Sequence, residues 1–165
     1  MQEHKLQVTP GKLPDSLKTI PFFEGLDEDT MEAIVANTTI LDCAQGDRVV
    51  EEGQTGQSLY FLLQGTLRVV KDGTTIAAAR RSGAMLGEVA LLNKSGTRSA
   101  TLIVESAPCY VLRVDQAFLE GLSNETRNAY YASLYRFLAI LLAERLERSS
   151  EMLAVAERRL SELGG

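Results

Sequence analysis

The stretch S-L-Y-F-L-L-Q-G-T-L-R-V-V-K-D-G-T-T-I-A-A-A-R, residues 58–80, decides the fold. It consists of short runs rich in Leu, Val, Thr, Tyr and Phe, broken first by Gly65 and then by Asp72-Gly73. β-Branched and aromatic side chains suit a pleated, half-buried surface. Asp-Gly between two such runs fits the two positive-φ positions of a type I′ hairpin turn. The same texture extends outward through residues 38–114, as T-T-I-L-D-C, R-V-V-E, S-A-T-L-I-V-E and C-Y-V-L-R-V. About eight short antiparallel strands at this spacing, with no long helix between them, predict a barrel or an eight-stranded jelly roll, a mainly β fold with flanking helices.

The flanks read differently. Residues 1–16 carry Pro10, Gly11 and Pro14 with no hydrophobic period and are expected to form a flexible arm. Asp27 is a candidate N-cap for a short helix whose Met31, Ile34 and Val35 share one face. Asp115 is a second candidate cap, for a short helix over residues 116–122, and Ser123 a third, for a long helix reaching about Leu163. Along that helix Tyr131, Leu134, Leu138 and Leu141 alternate steps of three and four. After a phase slip near Leu142 the alternation resumes at Leu146, Ser149, Leu153, Ala156, Leu160 and Leu163, the pattern of a coiled-coil seam with a stutter. A helix of about forty residues is about 60 Å long, too long to be buried against a barrel of this size. A homodimer through this helix is therefore expected. The expected organisation is an arm (1–16), a β domain (17–122) and a dimerising helix (123–165).

Composition removes several function classes. With 165 residues, of which 45% are apolar and 24% charged, the chain fits one globular domain with an appendage. Its net charge of −5 argues against a nucleic-acid partner, which calls for a basic face, yet allows one anion held by one well-placed cation. The single histidine, His4, leaves no basis for His-ligated metals or His-containing triads, so neither an enzyme nor a metal cofactor is expected. Cys43 and Cys109 fall in apolar strand-like runs and read as small buried hydrophobes rather than a disulfide. The start, M-Q-E-H-K-L-Q-V-T-P-G-K, lacks the apolar core of a secretory signal. The most apolar run, 130–143, is interrupted by Arg136 and too short to span a bilayer. A cytoplasmic protein with no membrane partner is the expectation.

Chemistry concentrates in residues 81–101, R-S-G-A-M-L-G-E-V-A-L-L-N-K-S-G-T-R-S-A-T. Gly83 and Gly87 lead into a short helix-compatible piece beginning at Glu88, and Arg98 follows a loop of small polar residues. A planar guanidinium can grip two phosphate oxygens at once. A carboxylate is wrong for phosphate but right for sugar hydroxyls. The residues thus allow a pocket for a phosphorylated sugar, and equally allow a structural ion pair between Glu88 and Arg98.

Two motifs resolve this by likeness. Glu52-Gly53-Gln54-Thr55-Gly56-Gln57-Ser58-Leu59-Tyr60-Phe61-Leu62-Leu63-Gln64-Gly65 is similar to an E-G-x-x-G-(D)-x-x-Y-F-I-x-x-G pattern. Gly83-Ala84-Met85-Leu86-Gly87-Glu88-Val89-Ala90-Leu91-Leu92, followed by Arg98-Ser99-Ala100-Thr101, is similar to a phosphate-binding cassette, G-x-x-F-G-E-x-A-L-x then R-(S/T/A)-A. Over residues 20–122 the chain resembles the cyclic-nucleotide-binding domain family of the catabolite activator protein, protein kinase A regulatory subunits and cyclic-nucleotide-gated channels. The resemblance implies that Arg98 pairs with the cyclic phosphate and Glu88 accepts from the ribose 2′-hydroxyl. It places Gly87, Val89 and Ala90 at the short helix facing the ligand, and Ser99 and Ala100 beside phosphate or base. Leu86 stands where the family usually has Phe, and Gln57 where it has an acidic residue. The implied ligand is cAMP, with cGMP second. Tyr130, Tyr131 and Tyr135 are candidates to cap the base, or are core and seam residues. The implied function is a non-catalytic homodimeric receptor acting through an unknown effector protein. The alternatives are a dimerising scaffold with an empty cassette, or the sensor half of a catabolite-activator-type transcription regulator.

Overall fold

The computed structural model describes residues 1–5, 17, 20–24, 26–93 and 95–163. Two long strands carry the sheet, β4 (Leu59–Lys71) and β7 (Thr101–Val114), antiparallel from Leu59 opposite Val114 to Val70 opposite Thr101. Around them lie β1 (Gln2–Lys5), β2 (Thr38–Cys43), β3 (Arg48–Val50), β5 (Thr74–Ala79) and β6 (Met85–Leu86). β7 takes β2 along its second half and β3 along its first; β4 takes β6 at Tyr60 and Phe61 and β5 beyond Leu67. Each long strand thus changes neighbours along its length, which is how a sheet curls into two faces. The helices are α1 (Glu28–Ala36), α2 (Glu88–Leu92) and α3 (Asn124–Leu163), with 3-10 turns at Pro21–Phe23 and Gln116–Gly121.

The sheet holds seven strands among the described residues, where the sequence predicts about eight. The runs 58–63 and 66–71 are one strand, because the ladder to β7 continues past Gly65 through register shifts. The runs 99–105 and 109–114 merge in the same way into β7. Residues 2–5, assigned by the sequence to a flexible arm, instead form β1 on the free edge of β2. Glu3 there receives a two-pronged ion pair from Arg113 at 2.9 and 3.1 Å, and the N-terminal ammonium lies 2.9 Å from Asp47. The remainder of the expected arm, residues 6–16, lies outside the described residues. The Asp72-Gly73 turn is as expected, with φ of 48° and 76°.

The first four residues of β4, Leu59 to Leu62, are apolar on both faces because both are buried there. Leu62 and Leu67 join Leu41, Val104 and Val111 inside the curled sheet. Leu59 and Phe61 face the helices, packing with Phe22, Ile34, Tyr130, Leu134 and Leu138. Asp27 caps α1, accepting from the Thr30 amide at 2.8 Å and the Thr30 hydroxyl at 3.0 Å, bonds that lower its carboxyl pKa. Ser123 accepts from the Thr126 amide at 3.1 Å and so starts α3. Leu134 and Leu138, placed by the sequence in a dimer seam, are buried against the chain's own domain. Farther along, Leu146, Leu153, Leu160 and Leu163 are exposed, from 61% at Leu153 to 85% at Leu163.

Cys43 and Cys109 are buried, free, and directly opposite each other across β2 and β7. Burial, with the neighbouring thiol second, pushes Cys43 up to about 11, and burial raises Cys109 as well. A thiol raised this far holds almost no thiolate at pH 8, and the thiolate is the nucleophile. Neither cysteine is therefore expected to react with a disulfide reagent at pH 8 until denaturant is added; stoichiometric labelling of the folded protein within minutes would contradict the packing.

Candidate functional site

The site is built where β6 gives way to α2. Gly87 makes that corner with φ +84°, and its missing side chain is needed twice over. A Cβ there would lie 2.7 Å from Arg98 Nη1, 3.1 Å from the Tyr60 ring and 3.2 Å from the Ser58 carbonyl. The space is taken by the Arg98 guanidinium, which donates to the Gly87 carbonyl at 3.0 Å and to the Ser58 carbonyl at 2.9 Å. Its central carbon stands 5.3 Å from the Tyr60 ring centroid, within cation–π range. Arg98 is only 4% exposed. Burial lowers its pKa, while Tyr60 and Glu88 act to raise it; arginine starts so high that the group remains a cation.

The backbone of Arg98 stitches the two motifs together. Its amide donates to the Gln54 carbonyl at 2.8 Å, its carbonyl accepts from the Gly53 amide at 2.9 Å, and Gly56 donates to Gly96 at 3.1 Å. The E-G-x-x-G loop thus holds the loop that presents Arg98, which explains in physical terms why the two motifs occur together.

Glu88, the first residue of α2, is buried, as is Ala90; Val89, Ser99 and Ala100 are half-buried around them. Glu88 does not form the ion pair with Arg98 that the sequence also allowed. Its carboxylate is instead paired through Oε1 with Arg145 Nη1, from α3, and Arg145 Nη2 donates to the Met85 carbonyl at 2.8 Å. Arg145 was not singled out by the sequence. A signal was present: Leu134, Leu138, Leu141 and Arg145 continue one helical stripe by steps of four, three and four.

The tyrosines separate. Tyr130 is fully buried, donates to Gln116 Oε1 at 2.6 Å, and has its pKa raised, mainly by burial. It is a core residue and does not cap a ligand. Tyr131 and Tyr135 stack at 5.7 Å between centroids and line a groove of about 300 Å³ with Gln57, Ala90 and Gln116. Among the described residues no cluster of His, Cys, Asp and Glu is arranged to hold a metal, and no helix is long and apolar enough to cross a membrane.

The model of the cyclic nucleotide-binding domain family matches residues 41–126, a span that includes every residue above except those on α3 beyond it. The chain belongs to the cyclic nucleotide-binding domain family. It is 30% identical over 108 residues to a cyclic nucleotide-gated cation channel protein of Drosophila melanogaster, covering 59% of this chain and 16% of the channel protein. It is 43% identical over 49 residues to the cAMP-dependent protein kinase regulatory subunit of Debaryomyces hansenii, covering 30% of this chain and 11% of that protein. The chain therefore spans a small fraction of the length of the curated relatives it matches. Among solved structures, a cyclic nucleotide-binding protein from Geobacter metallireducens superposes with a TM-score of 0.70 at 20% identity, over 85% of this chain and 99% of that one. The N-terminal domain of a transcriptional regulator from Streptomyces coelicolor gives 0.61 at 24% identity, over 78% and 95%. Both likenesses concern the fold, which is that of the family's cyclic nucleotide-binding domain.

Proposed function

We propose that this cyclic nucleotide-binding domain is a non-catalytic cytoplasmic receptor for cAMP, with cGMP second, and passes occupancy to an effector through dimerising α3 helices. The observation that carries the reading is the placement of Arg98 and Glu88, a buried cation bonded to the Gly87 carbonyl and a buried carboxylate on the residue that follows it. The cation suits the cyclic phosphate and the carboxylate the ribose 2′-hydroxyl, with Val89, Ala90, Ser99 and Ala100 as the small residues around them. The kinase regulatory subunit similarity favours cAMP. The exposed Leu146, Leu153, Leu160 and Leu163 favour a second copy of α3 as the dimer partner. A scaffold with an unused cassette is the competing reading, favoured by the fact that protein groups already satisfy both Arg98 and Glu88.

Thermal unfolding after a denature–refold step to strip bound ligand separates the two, with cAMP, cGMP and 5′-AMP in parallel. A ligand at a hundred times its Kd stabilises by about 2.7 kcal/mol. For a chain of this size that is a rise in Tm of about 5–11 °C. The rise is expected with cAMP, smaller with cGMP at equal concentration, and absent with 5′-AMP. No rise with any cyclic nucleotide would leave the scaffold. Light scattering across a concentration series tests the dimer, and a monomer at all concentrations would remove α3 as the output.

A further inference from the structure

Glu88, the residue proposed to hold the ribose, is already engaged by a side chain of its own protein. Its carboxylate is 2% exposed, so a sugar hydroxyl can touch it only after something moves. What lies against it is Arg145, itself 43% exposed and anchored to nothing deeper than the Met85 carbonyl. A half-exposed arginine can swing into solvent without opening the core, whereas Glu88 sits at the start of α2 with its backbone fixed. We infer that Arg145 is an internal competitor for the ribose-binding carboxylate, a latch that nucleotide must displace, and that its release frees the end of α3 from the domain. This rests on the nucleotide-receptor reading above.

Placement gives the contact its consequence. Tyr130, Leu134 and Leu138 fasten the first turns of α3 to the sheet by apolar burial. Leu141, partly buried against the same cluster, is the next rung on that stripe, and Arg145 follows it, joining α3 to the cassette through polar bonds. The side-chain hydrogen bonds of Arg158 and Ser161 farther along stay within the helix. The first half of α3 is thus held by apolar burial, and its departure point by a polar contact that the nucleotide contests. An equilibrium between latched and open forms reduces apparent affinity by the fraction that is open. Breaking the pair by substitution therefore raises affinity.

The experiment is calorimetric titration of cAMP into the full chain, wild type against Arg145→Ala and Arg145→Lys, with amide hydrogen exchange of residues 139–150. Arg145→Ala is expected to bind about two- to fivefold more tightly, the range that one partly exposed ion pair supports as a competitor. Arg145→Lys, a point charge without the two-pronged geometry, is expected to fall between. Exchange at residues 139–150 is expected to rise in nucleotide-free Arg145→Ala, and in the wild type when cAMP is added. Binding by the variant where the wild type shows none also supports the latch. Binding by the wild type with equal or weaker binding by Arg145→Ala overturns the latch alone, making Arg145 indifferent or a cover over bound ligand. Binding by neither overturns the receptor reading and the latch together.

Discussion

Arg98→Ala is expected to weaken cAMP binding by two to three orders of magnitude, the largest effect of any single change at the site. Truncating one partner of a buried, hydrogen-bonded charge pair costs about 2–5 kcal/mol, and ligand phosphate facing an empty cavity meets that case. The same change acts on the free protein. The Ser58 and Gly87 carbonyls each lose a donor, at 2.9 and 3.0 Å; both are part-buried, so each loss costs toward the lower end of the about 1–3 kcal/mol of a buried unpaired acceptor. Nucleotide-free Arg98→Ala should thus melt in less urea than wild type, with the linear slope unchanged. Arg98→Lys should recover little, since a point-like ammonium lacks the planar fork with which Arg98 meets the Ser58 and Gly87 carbonyls and can grip two phosphate oxygens. Calorimetry and urea unfolding together decide it. Affinity within threefold of wild type in Arg98→Ala would mean the phosphate is read elsewhere.

Phe22→Ala is expected to be the most damaging change to stability. Phe22 is 1% exposed and meets four rings, those of Phe23, Phe61, Tyr130 and Phe137, at centroid distances of 5.1, 5.3, 6.0 and 5.8 Å. Emptying such a position costs about 3–5 kcal/mol. For a chain of this length the corresponding fall in Tm is about 6–20 °C. Apart from Phe23, its neighbour in the 3-10 turn, these partners come from the sheet and from α3, so the cavity opens at the joint between them. Hydrogen exchange should accordingly accelerate in the first turns of α3 before it does in β4 and β7. A fall in Tm below 2 °C would show that α3 is not docked as described.

What could be read in advance follows from distance along the chain. Gly87, Glu88 and Arg98 lie within one short segment, so their chemistry could be read together, as a pocket for a phosphorylated sugar or as an ion pair, and the family likeness chose between the two. The caps at Asp27, Asp115 and Ser123 are local hydrogen bonds and were equally legible. Gly65 misled because a glycine can break a strand or sit in one, and only the partner strand decides; here β7 runs past it. The arm misled because β1 has little apolar character and is held by β2, Arg113 and Asp47, all distant in sequence. The first half of the seam misled for a related reason. Leu134 and Leu138 carry the spacing of a helix pair, but spacing alone does not say whether the partner is a helix or a sheet. Arg145 meets Glu88 from another element, and no local rule joins the two.

In the latch proposed above, the stretch of α3 beyond Arg145 works as a lever with its fulcrum at the cassette. From Arg145 to Leu163 it extends about 27 Å at 1.5 Å per residue, so a tilt of only about 10° at the base carries the tip about 5 Å sideways. Five ångströms is close to one helical pitch, enough to move a row of leucines from one set of partners to the next. On the proposed dimer reading, a change too small to see in the sheet is thereby magnified where a second chain would feel it, with a gain set by helix length. Shortening the helix from its far end would reduce the output while leaving the binding pocket untouched.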